Sequence, residues 1–389
     1  MKLIIACIVA AALLVCGLST GAQVYYFVAI TLLAVIVLSV ISVLWALLTV
    51  KIEMKGIRAR VERGESLMTI FTLRHASLLP VSAVRVRLSV PSAFAPYQEI
   101  SVSALPFTKK VFRHRIVCPH RGVFEAGVTR ISASDLFGLI TLSRKSGMKL
   151  LRVDVMPRVP ADLPMELGSG DIGPESVSHS DEDTASPSDV RSWQEGDPLK
   201  KVHWKLTMRK REVMVKVYEE SARPDTLILP DLTAISAMQD QALALEDCVC
   251  EACLGAAKAQ LEAGYPVRMP LTSKYPSEIA GQFPADLHLF ADALMRVKFD
   301  SPYDYEQVLL QMQRRMSRTG GMVIVTPHLT TRIADLAARM QLSGVRTRVI
   351  WISDTRLDQS LEMAERLRME NVQVDVQDPW SAEIGGAEL

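Results

Sequence analysis

Between Lys2 and Lys51 the chain has no Asp, Glu, Lys or Arg. So long an absence of charge excludes an ordinary soluble surface for the first fifty residues. An excess of either sign is also missing from the whole: 389 residues carry 44 Lys and Arg against 43 Asp and Glu, a formal net charge of +1. No global field therefore draws the protein to nucleic acid or to an anionic surface, and such partners would need a local patch. The chain lacks a Gly-x-x-x-x-Gly-Lys-Ser/Thr loop, which excludes a P-loop nucleotide site. Its six cysteines form no paired framework, because Cys7 and Cys16 fall in the first apolar run and Cys118 stands alone. Cys248, Cys250 and Cys253 lie within an apolar pattern of helical period, Ala242 to Leu261, with no His nearby. That period favours buried reduced thiols over the alternative, a metal site.

In place of charge there are two apolar runs, Leu3 to Leu18 and Tyr25 to Val50. At about 1.5 Å per residue the second crosses a bilayer comfortably and the first marginally. Ser19 to Gln23 between them is short enough for a hairpin loop, and Tyr25, Tyr26 and Trp45 suit the interfaces. Lys51, Lys55, Arg58, Arg60 and Arg63 follow the second run, while the loop is uncharged. The positive-inside rule then predicts a multi-pass protein of the cell membrane, in contact with the lipid bilayer, with residues 51–389 cytoplasmic. The alternative is a cleaved signal peptide over Met1 to about Ala22, which leaves a stop-transfer helix and the same cytoplasmic side. Val15 before Cys16 argues against lipoprotein attachment.

Residues 1–51 thus read as a transmembrane hairpin and residues 52–160 as an all-β, sandwich-like domain. Val84 to Val90 alternates apolar and polar residues, with weaker versions at Met68 to Leu73 and Val123 to Ile131. His75, His114 and His120 are scattered and read as surface or core fillers. Residues 161–189 hold eight acidic residues and no Lys or Arg. Such a segment buries little and reads as a solvated, flexible linker, with an acidic cover over the following motif as the alternative.

From 223 to 380 strands and helices alternate. Strands are predicted at Thr226 to Leu229, Val267 to Leu271, Met322 to Thr326, Arg348 to Ile352 and Val372 to Val376. Helices are predicted at Asp240 to Ala263, after Ser301-Pro302, around Ile333 to Met340 and at Leu361 to Glu370. This alternation predicts a parallel sheet with helices on both faces, followed by a tail at 381–389.

Residues 190–222 concentrate rare residue types: Trp193, Trp204, His203, the turn Gly196-Asp197-Pro198 and the cations Arg191, Lys200, Lys201, Lys205, Arg209, Lys210 and Arg211. Asp197 is placed to cap a helix beginning at Pro198, with Val202 and Leu206 on one face, followed by a strand from Val213 to Val217. Three explanations compete: tryptophans anchoring the segment by packing, a protein-docking surface, and catalysis by His203 with Asp197, for which no Ser or Cys nucleophile is paired in sequence. Nucleic-acid binding ranks last, since the acidic segment adjoins the patch.

This motif resembles the signature of the domain-of-unknown-function-58 family, a set of bacterial membrane-anchored proteins. Arg121-Gly-Val-Phe124, Asp135-Leu-Phe-Gly-Leu139 and Met156-Pro-Arg-Val159 are similar to further landmarks of that family in the same order, with Leu136 replacing a usual proline. The resemblance implies a carboxyl-terminal α/β unit like a von Willebrand factor A domain (Rossmann-type), with a ligand site at the strand ends. In such a domain an Asp-x-Ser-x-Ser loop helps to hold a divalent cation. Here Asp231 and Thr233 match two positions of a degenerate Mg2+ site, Ile235 cannot coordinate, and Thr326-Pro-His328 stands where an Asp is expected. The implied partners are a MoxR-type AAA+ ATPase and a transglutaminase-like membrane protein. The resulting expectation is a non-enzymatic, membrane-anchored adaptor that binds protein through Arg191, Trp193, Gly196, Asp197, His203, Trp204, Lys205 and Arg209. The alternative is a hydrolase-like enzyme using Asp197, His203 or Asp231.

Overall fold

The two uncharged runs become helices α1 (Lys2–Thr20) and α2 (Gln23–Thr49), both long and apolar enough to cross a membrane. A helix satisfies its own backbone hydrogen bonds, so apolar surroundings favour it. Gly21, at φ 66°, supplies the left-handed turn between them. The computed structural model describes residues 2–56, 59–75, 83–92, 96–103, 107–160, 189–194, 199, 202–217, 224–314, 319–353 and 359–379. The chain divides into two compact units, one of Met1–Arg158 with Ala237–Asp247 and Ala291–Arg296, the other of Val159–Ser236, Cys248–Phe290 and Val297–Leu389.

In the first unit the helices are followed by β1 (Lys51–Lys55), β2 (Arg60–Glu62), β3 (Ser66–His75), β4 (Ala83–Ser89), β5 (Tyr97–Val102), β6 (Thr108–Val117), β7 (Gly122–Ser134), β8 (Thr141–Lys145) and β9 (Leu151–Met156). One sheet has the order β1-β3-β6; the other has the order β2-β9-β7-β4-β5, with β8 also paired to β7. Among the described residues of this unit, only β2 and β9 pair in parallel. Alternation does the sorting: Val84, Val86 and Leu88 point inward while Arg85 and Arg87 point out. They share one core with Leu67, Phe71 and Leu73 of the other sheet. The end of α2 departs from expectation. Val43, Ala46 and Leu47, with Val50 beyond them, belong to this β core, so the second apolar run is not spent wholly on crossing a membrane.

The second unit begins with β10 (Asp189–Ser192), α3 (Trp204–Lys210) and β11 (Met214–Val217). Then come β12 (Asp225–Pro230), α4 (Gln239–Glu262), β13 (Val267–Leu271), β14 (Ser277–Gly281), α5 (Leu287–Arg296), α6 (Tyr305–Gln313), β15 (Thr319–Thr326), α7 (Thr331–Leu342), β16 (Arg346–Ile352), α8 (Gln359–Met369) and β17 (Gln373–Gln377). The start of α4 and the end of α5 are grouped with the first unit. The sheet order is β14-β13-β12-β15-β16-β17. All pairs are parallel except β13 with β14. Leu227, Leu229, Met322, Ile324, Val349 and Trp351 pack with α6, α7 and α8 on one face. Thr226, immediately before Leu227 in β12, turns the other way and donates to Gln260 of α4 at 3.3 Å.

Two predictions for this unit need correction. The sheet has an antiparallel edge, β14, and a following helix, α5, that the sequence pattern did not indicate. The helix expected from Ser301-Pro302 begins at Tyr305 instead, because Ser301 Oγ is engaged in a turn, donating to the Tyr303 carbonyl at 3.0 Å.

Candidate functional site

β12 has its successor β13 on one side and β15 on the other, so the chain reverses its direction of travel across the sheet at this strand. Open α/β sheets place ligand sites outside the carboxyl ends of their strands at such a point. Asp231 follows β12, Thr326 ends β15, and the parallel register sets Pro230 against Val325. The Asp231 N–H donates to the Val325 carbonyl at 2.8 Å. Asp231 Oδ1 accepts from the backbone and the hydroxyl of Thr233 at 3.1 and 2.7 Å, and Oδ2 accepts from the Thr326 hydroxyl at 2.8 Å.

The structure therefore joins Asp231 and Thr233, as the sequence anticipates, and adds Thr326, which it did not single out as a partner. Asp231 and Thr326 are fully buried. Beneath them the buried Tyr305 hydroxyl donates to the Leu229 carbonyl at 2.6 Å. Burial, reinforced by the Asp231 charge, pushes this phenol well above its ordinary range, so it stays a donor.

Magnesium demands near-octahedral oxygen ligands, with one or two carboxylates and retained waters. Here one carboxylate already accepts three hydrogen bonds, the Thr326 hydroxyl spends its proton on that carboxylate, and the Ile235 side chain brings no oxygen. These residues do not fit a resident Mg2+. Among the described residues no group of three or more His, Cys, Asp or Glu converges to hold a metal. Cys250 and Cys253 are fully buried on α4. Burial, then the neighbouring sulfurs, pushes the Cys253 thiol well up, and Cys118 is pushed up to about 11 by burial and Glu65. Such protonated thiols pack as small apolar groups.

Within the first unit, Asp247 (1 % exposed) collects the groups that the sequence left scattered. Arg63 Nη1 donates to it at 3.2 Å, His120 Nδ1 lies 2.8 Å away, and the Arg121 backbone N–H reaches it at 3.4 Å. Burial raises the neighbouring Glu246 carboxyl above its usual range, against the pull of Arg121. His120 is thus a hydrogen-bonding partner of a buried carboxylate rather than a filler. Its partner lies 127 positions away, with no local signal to reveal it.

Residues 189–217 form a small module. β10 and β11 pair antiparallel from Asp189 with Val217 to Ser192 with Met214, and Val202 bridges Val215. α3 itself spans Trp204–Lys210; just ahead of it Val202 is held in that bridge and the His203 N–H donates to the Met214 carbonyl at 2.7 Å, while Pro198, where a helix is predicted to begin, lies outside the described residues. His203 is then the N-cap, its Nδ1 accepting from the Leu206 N–H at 3.2 Å.

Gly196, Asp197 and the segment 161–188 lie outside the described residues, as does the tail. Both signature tryptophans stand out of the core: Trp193 is 40 % and Trp204 64 % exposed. Met208, one turn after Trp204 on the same helical face, is 81 % exposed. Lys205 and Arg209 are exposed beside them, and Arg191 Nη1 donates to the Ser192 carbonyl at 3.1 Å.

Residues 189–379, just under half of the chain, match the family model described as "Protein of unknown function DUF58". No curated protein matches the chain. Among solved structures, the CARDB domain of the PF1109 protein from Pyrococcus furiosus, in complex with di-metal ions, is 16 % identical, covering 27 % of this chain and 91 % of that one at a TM-score of 0.21. A cycloisomaltooligosaccharide glucanotransferase from Paenibacillus sp. is 9 % identical, covering 85 % and 52 % at a TM-score of 0.17.

Proposed function

From the premise that residues 189–379 form a DUF58 region, we propose that this protein is a membrane-anchored adaptor that binds protein. In this reading it works with a MoxR-type AAA+ ATPase in complex assembly or cell-envelope maintenance. The observation that carries the proposal is the exposed face of Trp204 and Met208, with Lys205 and Arg209 exposed beside it. Trp and Arg supply most binding energy at protein interfaces, and Met adapts its shape to a partner. The chain has no P-loop, so the partner would supply the ATP chemistry. A transglutaminase-like membrane protein is a second partner in keeping with the family resemblance.

The von Willebrand A-like reading of residues 223–380 draws support from the largely parallel sheet and from the Asp231 cluster at its reversal point. The membrane reading, with residues 51–389 cytoplasmic, draws support from α1 and α2 and from the cations after them.

The test is binding of the full chain, reconstituted in lipid nanodiscs, to the ATPase in its ATP and ADP states. Replacing Trp204→Ala and Met208→Ala together is expected to weaken capture by about tenfold or more. Absence of binding by the unsubstituted chain in every nucleotide state would sink the proposal. Turnover of a hydrolysable substrate, abolished by His203→Ala with the fold intact, would favour the hydrolase-like reading instead.

A further inference from the structure

We propose that the loop between β7 and β8, Asp135–Leu139, is a third membrane contact, inserting Leu136 and Phe137 into the headgroup–acyl boundary beside the two spanning helices. The inference rests on the reading that α1 and α2 cross a bilayer, and all of its residues belong to the first unit.

The loop is built to hold apolar groups outward. Asp135, 1 % exposed, accepts from the Ile140 N–H at 2.9 Å through Oδ1 and from the Phe137 N–H at 3.3 Å through Oδ2. Its backbone closes the turn: its N–H donates to the Ile140 carbonyl at 3.2 Å, and its carbonyl accepts from Gly138, which sits at φ 64°. With the stem so tied, Leu136 is 56 % and Phe137 65 % exposed. A soluble turn would carry polar residues at these positions.

Helix lengths place this tip at the bilayer surface. α2 has 27 residues and α1 has 19, so from their shared turn α2 outruns α1 by eight residues, about 12 Å. That overhang is the part of α2 whose Val43, Ala46 and Leu47 enter the β core. The stretch above it, level with α1, is close to the ~30 Å of a hydrocarbon core. The β7–β8 hairpin runs beside the overhang. At one end Arg144 Nη2 donates to the Val50 carbonyl at 2.6 Å, and at the other a Cβ on Gly138 would lie 4.0 Å from Lys2 Nζ. Lys2 opens α1, so the tip stands where the helices leave the bilayer. There the Lys2 ammonium faces anionic headgroups, and the half-exposed Trp45 suits the same layer. Leu and Phe beside a cation are the composition of a segment seated ~5–10 Å into that boundary.

The experiment uses the full chain with Cys7→Ala, Cys16→Ala and Cys248→Ala, in vesicles of phosphatidylethanolamine and phosphatidylglycerol. One environment-sensitive label is carried by Phe137→Cys and, separately, another by Leu33→Cys in the middle of α2. The expected result is strong quenching at position 33, and at position 137 at least about twofold quenching by a lipid nitroxide placed just below the headgroup, exceeding that by a mid-chain nitroxide. Quenching at 33 without quenching at 137, whether that label is open to water or covered by protein, overturns this inference and leaves the spanning helices standing. No quenching at 33 overturns the membrane reading and the inference with it.

Discussion

The strand-end cluster around Asp231 and the exposed face of α3 both lie within residues 189–379, and they treat their polar and aromatic groups in opposite ways. At Asp231 the neighbouring donors turn inward: among the described residues three hydrogen bonds reach one buried carboxylate, and a buried tyrosine supports the strand below. On α3 the backbone is tied down by His203 and the β10–β11 pair, while the largest side chains, Trp204 and Met208, point outward. A closed polar cluster contributes stability. An open apolar face contributes none in isolation, and so reads as a surface for another molecule.

This contrast can be broken by measurement. The largest stability effect is expected from Asp231→Ala, which removes the buried acceptor of three hydrogen bonds from Thr233 and Thr326 and should cost about 3 kcal/mol in denaturant unfolding. A variant that unfolds at the parental midpoint would show that the cluster is not closed. His203→Ala removes the α3 cap and should cost about 1 kcal/mol, visible as faster amide exchange at Leu206. Unchanged exchange there would remove the capping role. Trp204→Ala is expected to leave the unfolding free energy within about 0.5 kcal/mol, since its side chain is largely in solvent. A larger loss would mean that Trp204 anchors the module by packing, which would close the difference between the two regions.

Local pattern accounts for much of what was legible in the sequence. Uncharged runs become α1 and α2, period-two alternation becomes β4, and the long amphipathic stretch becomes α4 almost to the residue. What failed did so where distant partners competed with local preference. Ser277 to Gly281 is too short and mixed to declare itself, and becomes a strand only by lying against β13. The Asp231 site was half legible: Thr233 is two positions away, but Thr326 is 95 positions away, and a threonine standing where aspartate was expected did not announce itself as a donor.

The sequence by itself determined the order of the chain: an uncharged hairpin, a strand-rich region, an acidic segment, a cationic tryptophan motif and an alternating α/β region. Composition and periodicity act over a few turns or a few strand residues, so they can be read without a fold. Only the tertiary structure decided which polar groups are satisfied and which apolar groups are left over. It buried the end of α2 in a β core, closed Thr326 onto Asp231, gathered Arg63, His120 and Arg121 at Asp247, and left Phe137 and Trp204 outside. These outcomes depend on contacts between residues far apart in the chain, and satisfaction of a buried donor is a property of the whole packing arrangement, not of the residues beside it.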